Sequence, residues 1–256
     1  MSTFTSDDGL AIAYQEWGAE HRGEAPPIVL HHGFAVDANL NFAGPGVVAS
    51  LVEAGRHVVG IDARGHGASD KPHDPAFYGE VRMATDVTTL IDVLGADEVH
   101  LVGYSMGAIV ALLTATREPR VAKLVVGGIG AGVVEVGGVD TRAVPSAAIA
   151  AALRAEDPAA IEHEGARGFR ALADMVGADR LALAAQADVV HQGPIDFAAI
   201  TAPTLVLAGD ADPLAARPEV LADAVPDGRL QRLQGDHLTA VADPAFTVAI
   251  VGFLAG

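Results

Sequence analysis

Val99-His100-Leu101-Val102-Gly103-Tyr104-Ser105-Met106-Gly107, followed by Ala108-Ile109-Val110-Ala111-Leu112-Leu113-Thr114-Ala115, is the stretch that decides how this chain folds. Residues 99–102 have the unbroken apolar character of a strand covered on both faces, and residues 108–115 read as a buried helix. Between them stands G-x-S-x-G. At a strand-to-helix turn this pattern forms a nucleophile elbow, in which a sharp turn strains the serine backbone and lifts its Oγ clear of the sheet. Both glycines are required there because a Cβ would collide with neighbouring backbone. The helix that begins just after Ser105 points its positive N-terminal end at any negative charge forming beside the serine. The competing reading is an ordinary Gly-rich turn. The flanking strand and helix weigh against it, as does the scarcity of serine, with six in the chain.

Outward from this segment, strand and helix patterns alternate. Residues 4–17 read as a hairpin turning at Asp8-Gly9. Ile28-Val29-Leu30, His57-Val58-Val59-Gly60-Ile61, Lys123-Leu124-Val125-Val126 and Thr204-Leu205-Val206-Leu207 are short strands in the same style as residues 99–102. Met83, Val87, Leu90, Ile91 and Leu94 fall on one helical face, with Gly95 as the stop. Pro244 opens a last helix through Phe246, Ile250 and Phe253, capped by Asp243. Alternation of this kind predicts an α/β fold with a mostly parallel sheet flanked by helices.

The rhythm breaks across residues 131–197. This stretch is Ala-rich and helical in pattern, with helix starts expected at Pro145 and Asp157-Pro158, and it holds no convincing strand. It divides the chain into a first core part (1–130), a helical insertion (131–197) and a second core part (198–256). No fixed-period repeat or low-complexity linker interrupts this plan.

Composition excludes several classes of function. Half of the 256 residues are hydrophobic and 19% are charged, which rules out a disordered chain and allows a large core. The net charge of −17, with a pI near 4.7, repels phosphate backbones and anionic lipids, so neither nucleic acid nor a membrane surface is expected as a partner. With no cysteine there is no disulfide framework, thiolate zinc site, iron–sulfur cluster or cysteine nucleophile. The N-terminal Met-Ser-Thr-Phe-Thr-Ser-Asp-Asp lacks the basic and apolar regions of a signal peptide, and the apolar run over residues 124–134 is too short for a bilayer span. The expectation is a soluble cytoplasmic protein.

Together these segments resemble the α/β-hydrolase family over nearly the whole chain. His32-Gly33-Phe34, after the Ile28 strand, is similar to the family's His-Gly oxyanion loop. Asp62-x-Arg64-Gly65-His66-Gly67-x-Ser69 is similar to its D-x-R-G-x-G-x-S signature. The resemblance implies an eight-stranded sheet whose second strand is antiparallel, with a variable helical cap inserted after the sixth strand, where residues 131–197 lie. It also implies a triad in the chain order Ser, acid, His.

After Ser105 the histidines are His163, His191 and His237. The first two lie in the insertion. His237 lies in Gly235-Asp236-His237, between a predicted strand at 229–233 and the last helix, where the family carries its general base. The acid comes from Gly209-Asp210-Ala211-Asp212, and the family's usage prefers the second acid, Asp212, with Asp210 as the alternative. By the same resemblance, the backbone amides of Phe34 and Met106 form the oxyanion hole. Asp236, next to His237, is less usual; it either turns toward the ring or faces solvent.

Two further motifs are set aside. Gly127-Gly128-Ile129-Gly130-Ala131-Gly132 lacks the last glycine of a dinucleotide fingerprint and opens no clear helix, so it reads as a flexible hinge. His31, His32, His66 and Asp62 lack metal-ligand spacing and belong to structural loops, so no metal or cofactor is expected. The sequence therefore predicts a serine hydrolase acting through an acyl-enzyme on small neutral or apolar carboxylic esters. Dehalogenases and epoxide hydrolases of this fold use Asp where Ser105 stands. Carbon–carbon bond hydrolysis, lactone opening and perhydrolysis use the same triad and stay open, as does a triad-bearing ligand receptor. A dicarboxylate substrate would need an arginine in the pocket, with Arg64, Arg142, Arg154, Arg167, Arg170 and Arg180 as candidates. The partner is a small-molecule substrate; the oligomeric state is not encoded in any pattern.

Overall fold

The N-terminal run folds as the hairpin its Asp-Gly turn predicts: β1 (Ser2–Thr5) and β2 (Ala11–Trp17) pair antiparallel with Phe4 opposite Ile12, and Gly9 takes a φ of 89° at the turn. The computed structural model describes residues 1–255. Six further strands follow: β3 (Ile28–His31), β4 (Val58–Ile61), β5 (Val99–Tyr104), β6 (Val121–Gly127), β7 (Thr204–Gly209) and β8 (Gly228–Leu233). They form one eight-stranded sheet in the order β1-β2-β4-β3-β5-β6-β7-β8. β2 pairs antiparallel with β1 and β4, and the pairings from β4 through β8 are all parallel. Every residue of β3, β4, β5 and β7 is buried. This is why these strands read as unbroken apolar runs: parallel crossovers put helices over both faces.

Those helices pack as two layers. On one face, α2 (Glu80–Leu94) and α3 (Met106–Ala115) bury Met83, Val87, Leu90, Ile91 and the whole of α3 against Val29, Val59 and Leu101. On the other, α1 (Val47–Glu53) and α9 (Pro244–Ala255) bring Leu51, Phe246 and Ile250 against Leu30, Val102 and Leu207. Gly95 in a left-handed conformation stops α2, and the Asp243 carboxylate accepts the Ala245 amide at the start of α9. α8 (Pro218–Ala224) fills the crossover between β7 and β8.

Between β6 and β7 the described chain contains helices and no strand: α4 (Ala131–Val136), α5 (Ser146–Arg154), α6 (Glu164–Val176) and α7 (Arg180–Ala187). α5, α6 and α7 share a small apolar cluster around Leu153, Ile161 and Leu183, which Ala35 from the loop after β3 joins. Two expectations differ here. The glycine stretch does open a helix, the six-residue α4, because Gly128 at φ 70° turns the chain and Gly130 packs too tightly for any Cβ. Asp157-Pro158 starts only a single 3-10 turn, since Ile161 leaves the helical path and is buried. The α-helix begins later, at Glu164, where the His163 side chain accepts the Ala166 amide. Among the described residues no helix is long and apolar enough to cross a membrane.

One buried ion network ties the hairpin to the layer of α2. Arg64 is fully buried and donates to both carboxylate oxygens of Asp86 (2.8 and 2.7 Å), to Asp8 (2.7 Å) and to the Phe77 carbonyl (2.5 Å). Burial opposes ionisation at both carboxyls and prevails at Asp86, whereas at Asp8 the bonds from Arg64 and Ser6 outweigh it. Arg64→Met leaves the Asp86 carboxyl buried without its partner, and a loss of about 3–5 kcal/mol in stability by urea denaturation is expected. A loss below about 1 kcal/mol would show that the network is not holding these elements together.

Candidate active site

The turn from β5 into α3 holds Ser105 at φ 55°, ψ −117°, a conformation that non-glycine residues adopt only under constraint. The constraint is visible on both sides. A Cβ on Gly103 would lie 2.2 Å from the Gly107 carbonyl oxygen, and one on Gly107 would lie 2.1 Å from the His31 oxygen and 2.6 Å from that of His32. Only glycine lets α3 start this close to β3 and β5. The Ser105 amide donates to the Gly127 carbonyl at 2.8 Å, fixing the turn to β6.

Two loops at the carboxyl ends of β7 and β8 bring the remaining candidates to the serine. Asp212 opens a short turn over Pro213–Ala215 and is buried, one carboxylate oxygen accepting the Leu214 amide at 2.9 Å. Its other oxygen lies 2.8 Å from His237 Nδ1, and His237 Nε2 lies 2.9 Å from Ser105 Oγ. A carboxylate can only accept, so this contact puts the ring proton on Nδ1 and leaves Nε2 to accept from the serine hydroxyl. Asp210 does not reach the ring: its carboxylate accepts the Gly235 amide at 3.0 Å. Asp236 does not reach it either. It accepts the Leu238 and Thr239 amides and the Thr239 hydroxyl, and these bonds hold its carboxyl below the usual range. Tyr104, the variable residue of the elbow, was not singled out by motif. Its hydroxyl donates to the His237 carbonyl at 2.7 Å and its ring lies 5.4 Å from the imidazole, so it fixes the histidine loop.

The loop after β3 approaches the serine from the opposite side, with the Cβ position of Gly33 3.4 Å from Ser105 Cβ. The Gly33 amide donates to Asn41 Oδ1 (2.8 Å) and the Ala35 amide to His66 Nε2 (3.1 Å). Among the described residues the Phe34 amide between them donates to no protein acceptor, and neither does that of Met106 at the first position of α3. His32 acts as His66 does, accepting the Ala63 amide on Nε2 (2.9 Å) with Nδ1 on the Gly33 carbonyl (2.7 Å). These rings must be neutral to accept. Burial lowers the pKa of His32 and, with the neighbouring His32 ring, carries that of His66 well below its ordinary value; His31 is lowered to about 3. His32 and His66 therefore spend both ring nitrogens on backbone, whereas His31 sets Nδ1 on the His32 carbonyl and leaves Nε2 without a partner among the described residues.

Two cavities meet at Ser105. One, about 260 Å³, is lined by His237, Tyr104, Leu172, Met175 and Leu238. The other, about 50 Å³, lies deeper and is lined by Met106, Ile109, Ile149, Glu80 and Gln186. Phe34 and Phe169 face both. None of the six candidate arginines lines either one. Arg64 is held by Asp8 and Asp86, Arg142 by Glu135 and Asp140, Arg154 by Asp188, Arg167 by the Ile161 carbonyl, and Arg170 and Arg180 by Asp174 and nearby carbonyls. Phe169, Glu80 and Gln186 were missed by sequence reasoning, because no local spacing marks a residue whose role is to wall a cavity.

The profile of the alpha/beta hydrolase fold family matches residues 26–136. A non-heme chloroperoxidase of Streptomyces lividans is 35% identical over 130 residues, which is 49% of this chain and 43% of the relative. Epoxide hydrolase A of Mycobacterium tuberculosis is 36% identical over 104 residues, 39% of this chain and 31% of the relative. The chain thus matches less than half the length of these curated relatives. Among solved structures, a hydrolase from Pseudomonas aeruginosa PA01 is similar over 100% of this chain and 98% of its own, with 30% identity and a TM-score of 0.78.

Two outcomes are expected from this geometry. Tyr104→Phe removes the donor to the His237 carbonyl and lowers stability by about 1 kcal/mol in urea titration; an unchanged midpoint would show that the bond contributes nothing. The buried histidines have folded pKa values below that of the unfolded chain, so acid protonates the unfolded state first. Stability is then full above the ordinary histidine pKa and lost as pH falls through it. Burial raises Glu80 and Asp86 and opposes this, but the histidines outnumber them. Between pH 6.5 and 5 the unfolding free energy is expected to fall by at least about 1.4 kcal/mol per pH unit, the slope for one net proton. A flat profile there would mean that the rings accept protons without disturbing the loops.

Proposed function

This chain belongs to the α/β-hydrolase fold superfamily, and from that premise we propose that it is a serine hydrolase acting through an acyl-enzyme on small neutral or apolar carboxylic esters. The observation that carries the reading is the unbroken line of hydrogen bonds from Ser105 Oγ through His237 to Asp212, beside two amides with no protein acceptor.

In this mechanism His237 Nε2 takes the proton of Ser105 as Oγ attacks the ester carbonyl, and Asp212 stabilises the imidazolium that results. The carbonyl oxygen becomes an oxyanion and accepts from the Phe34 and Met106 amides, one such donor contributing about 3–4 kcal/mol to lowering the barrier. Collapse of the intermediate breaks the bond to the alcohol oxygen, which takes the proton from His237. Water then attacks the acyl-enzyme by the same steps, releasing the acid and restoring Ser105.

The two cavities acquire roles from the position of the base. The leaving oxygen must reach His237, so the larger cavity, which His237 lines, takes the alcohol part. The deeper one, which His237 does not line, takes the acyl part. Residues 131–197 act as a cap over the core formed by 1–130 and 198–256, supplying Phe169, Leu172 and Met175 to the cavity walls. The engagement of all six candidate arginines disfavours a dicarboxylate substrate.

A series of 4-nitrophenyl esters of increasing acyl length tests the proposal. Turnover is expected to be highest for short acyl chains, and Ser105→Ala or His237→Ala is expected to lower kcat/KM by about a thousandfold or more. Asp212→Asn should fall by orders of magnitude, whereas Asp210→Asn, which keeps an acceptor for Gly235, should stay within a few fold. Unchanged turnover in Ser105→Ala would remove the basis of the assignment.

A further inference from the structure

Among the described residues Glu80 is the one ionisable side chain on the wall of the deeper cavity, apart from the machinery at Ser105. It is 3% exposed and makes no ion pair among the described residues. One carboxylate oxygen accepts the His191 amide at 2.7 Å. Burial pushes its pKa up to about 7. Gln186 on the same wall is 1% exposed, and its Oε1 has no hydrogen-bond partner, while its amide nitrogen faces Met106 Sδ. The other groups around this cavity are apolar, among them Ile109, Val139 and Ile149.

Glu80 stands in the first turn of α2, where its carboxylate also accepts its own backbone amide and the positive end of the helix offsets part of its burial. Each of these bonds needs one carbonyl oxygen, which a glutamine would supply without burying a carboxyl away from any cation. An acceptor left unpaired at Gln186 is likewise unfavourable until something donates to it. The wall therefore offers acceptors from two side chains, while the Gln186 amide nitrogen, a donor on the same wall, is already turned to Met106 Sδ.

We propose that the deeper cavity is a subsite for a short acyl group that ends in a hydrogen-bond donor, a hydroxyl or an ammonium, received by Glu80 and Gln186. This rests on the serine hydrolase reading and narrows its substrate. The carbonyl carbon sits at Ser105, the chain runs inward past Ile109, and the donor reaches the polar wall. An acyl group of the same size with a methyl in place of the donor leaves the Gln186 oxygen unanswered and adds nothing to the bonds Glu80 already accepts. A site built to hydrogen-bond its substrate rejects the analogue lacking that group more strongly than an apolar pocket rejects a missing methylene.

Three 4-nitrophenyl esters with equal numbers of non-hydrogen atoms test this: the butyrate, the 3-hydroxypropionate and the 3-aminopropionate. Each kcat/KM is normalised to that ester's hydroxide-catalysed rate. The wild type is expected to favour at least one donor-bearing ester over the butyrate by about tenfold or more. Glu80→Met is expected to bring that ratio to about one. Glu80→Gln keeps an acceptor and the His191 bond, so a hydroxyl preference should survive it and an ammonium preference should not. Because both rates come from one preparation, the ratio does not depend on how much of a variant folds. A wild type that prefers the butyrate, or a ratio unchanged in Glu80→Met, overturns the subsite. In that event, Ser105-dependent cleavage of the butyrate leaves the serine hydrolase reading standing. If no ester of the series is cleaved, that reading fails and the subsite fails with it.

Discussion

The close approach of α3 to β3 and β5 at two glycines governs the rest of this structure. It forces Ser105 into a backbone conformation that costs on the order of 1–3 kcal/mol, and that strain persists only because the surroundings allow no other path. α3 is buried along its whole length, its first turn lies against the His31 and His32 carbonyls, and the Ser105 amide is pinned to Gly127. Relaxing the serine would mean moving a helix out of the centre of the molecule. The apolar composition that makes α3 a core helix is therefore also what holds Ser105 in its strained turn at the helix tip.

The same logic extends to the facing loop, with polar groups in place of apolar ones. Residues 33–35 pass close to the serine with the Phe34 amide free of protein acceptors among the described residues, and Ala35 adopts a φ of 68° there. Asn41 and His66 take the amides on either side of Phe34, and His32 ties this loop to the one after β4. Neutral imidazoles serve well here because each has one donor and one acceptor, matching a carbonyl on one side and an amide on the other. Burial keeps them neutral. The network is thus an internal scaffold for backbone, and its chemistry resembles a ligand site only when read as a list of residue types.

How much of this was legible in the sequence depends on how local each constraint is. The strands and the elbow could be read because their residue types are dictated by neighbours within a few positions: glycine where a Cβ collides, unbroken apolar residues where both faces are covered. The short helices α1 and α8 left no readable period, since seven residues make less than two turns and tertiary packing supplies their stability. Asp157-Pro158 shows the same limit, because its capping chemistry suits a helix, but burial of Ile161 ends the turn at once. The choice between Asp210 and Asp212 depended on resemblance alone. In the structure it is a matter of which side of one turn each carboxylate lies on, and Asp212 is the one against His237.

Tyr104, Glu80 and Gln186 were beyond reach for a different reason. Their partners lie 133, 111 and 80 residues away in the chain, and nothing in their immediate surroundings requires them. This divides the molecule by function. Ser105, Asp212 and His237 stand on turns and loops that follow core strands, where backbone geometry constrains the residue. The cavity walls come in part from the helices between β6 and β7, where volume and polarity matter and many residues would fill the same space. A chain built this way can change the lining of its cavities without disturbing the strained turn or the histidine line. For that reason the two polar side chains on this wall, Glu80 and Gln186, carry more information than the apolar residues around them. Their burial is costly, and the bonds that Glu80 accepts from backbone do not by themselves require a carboxyl.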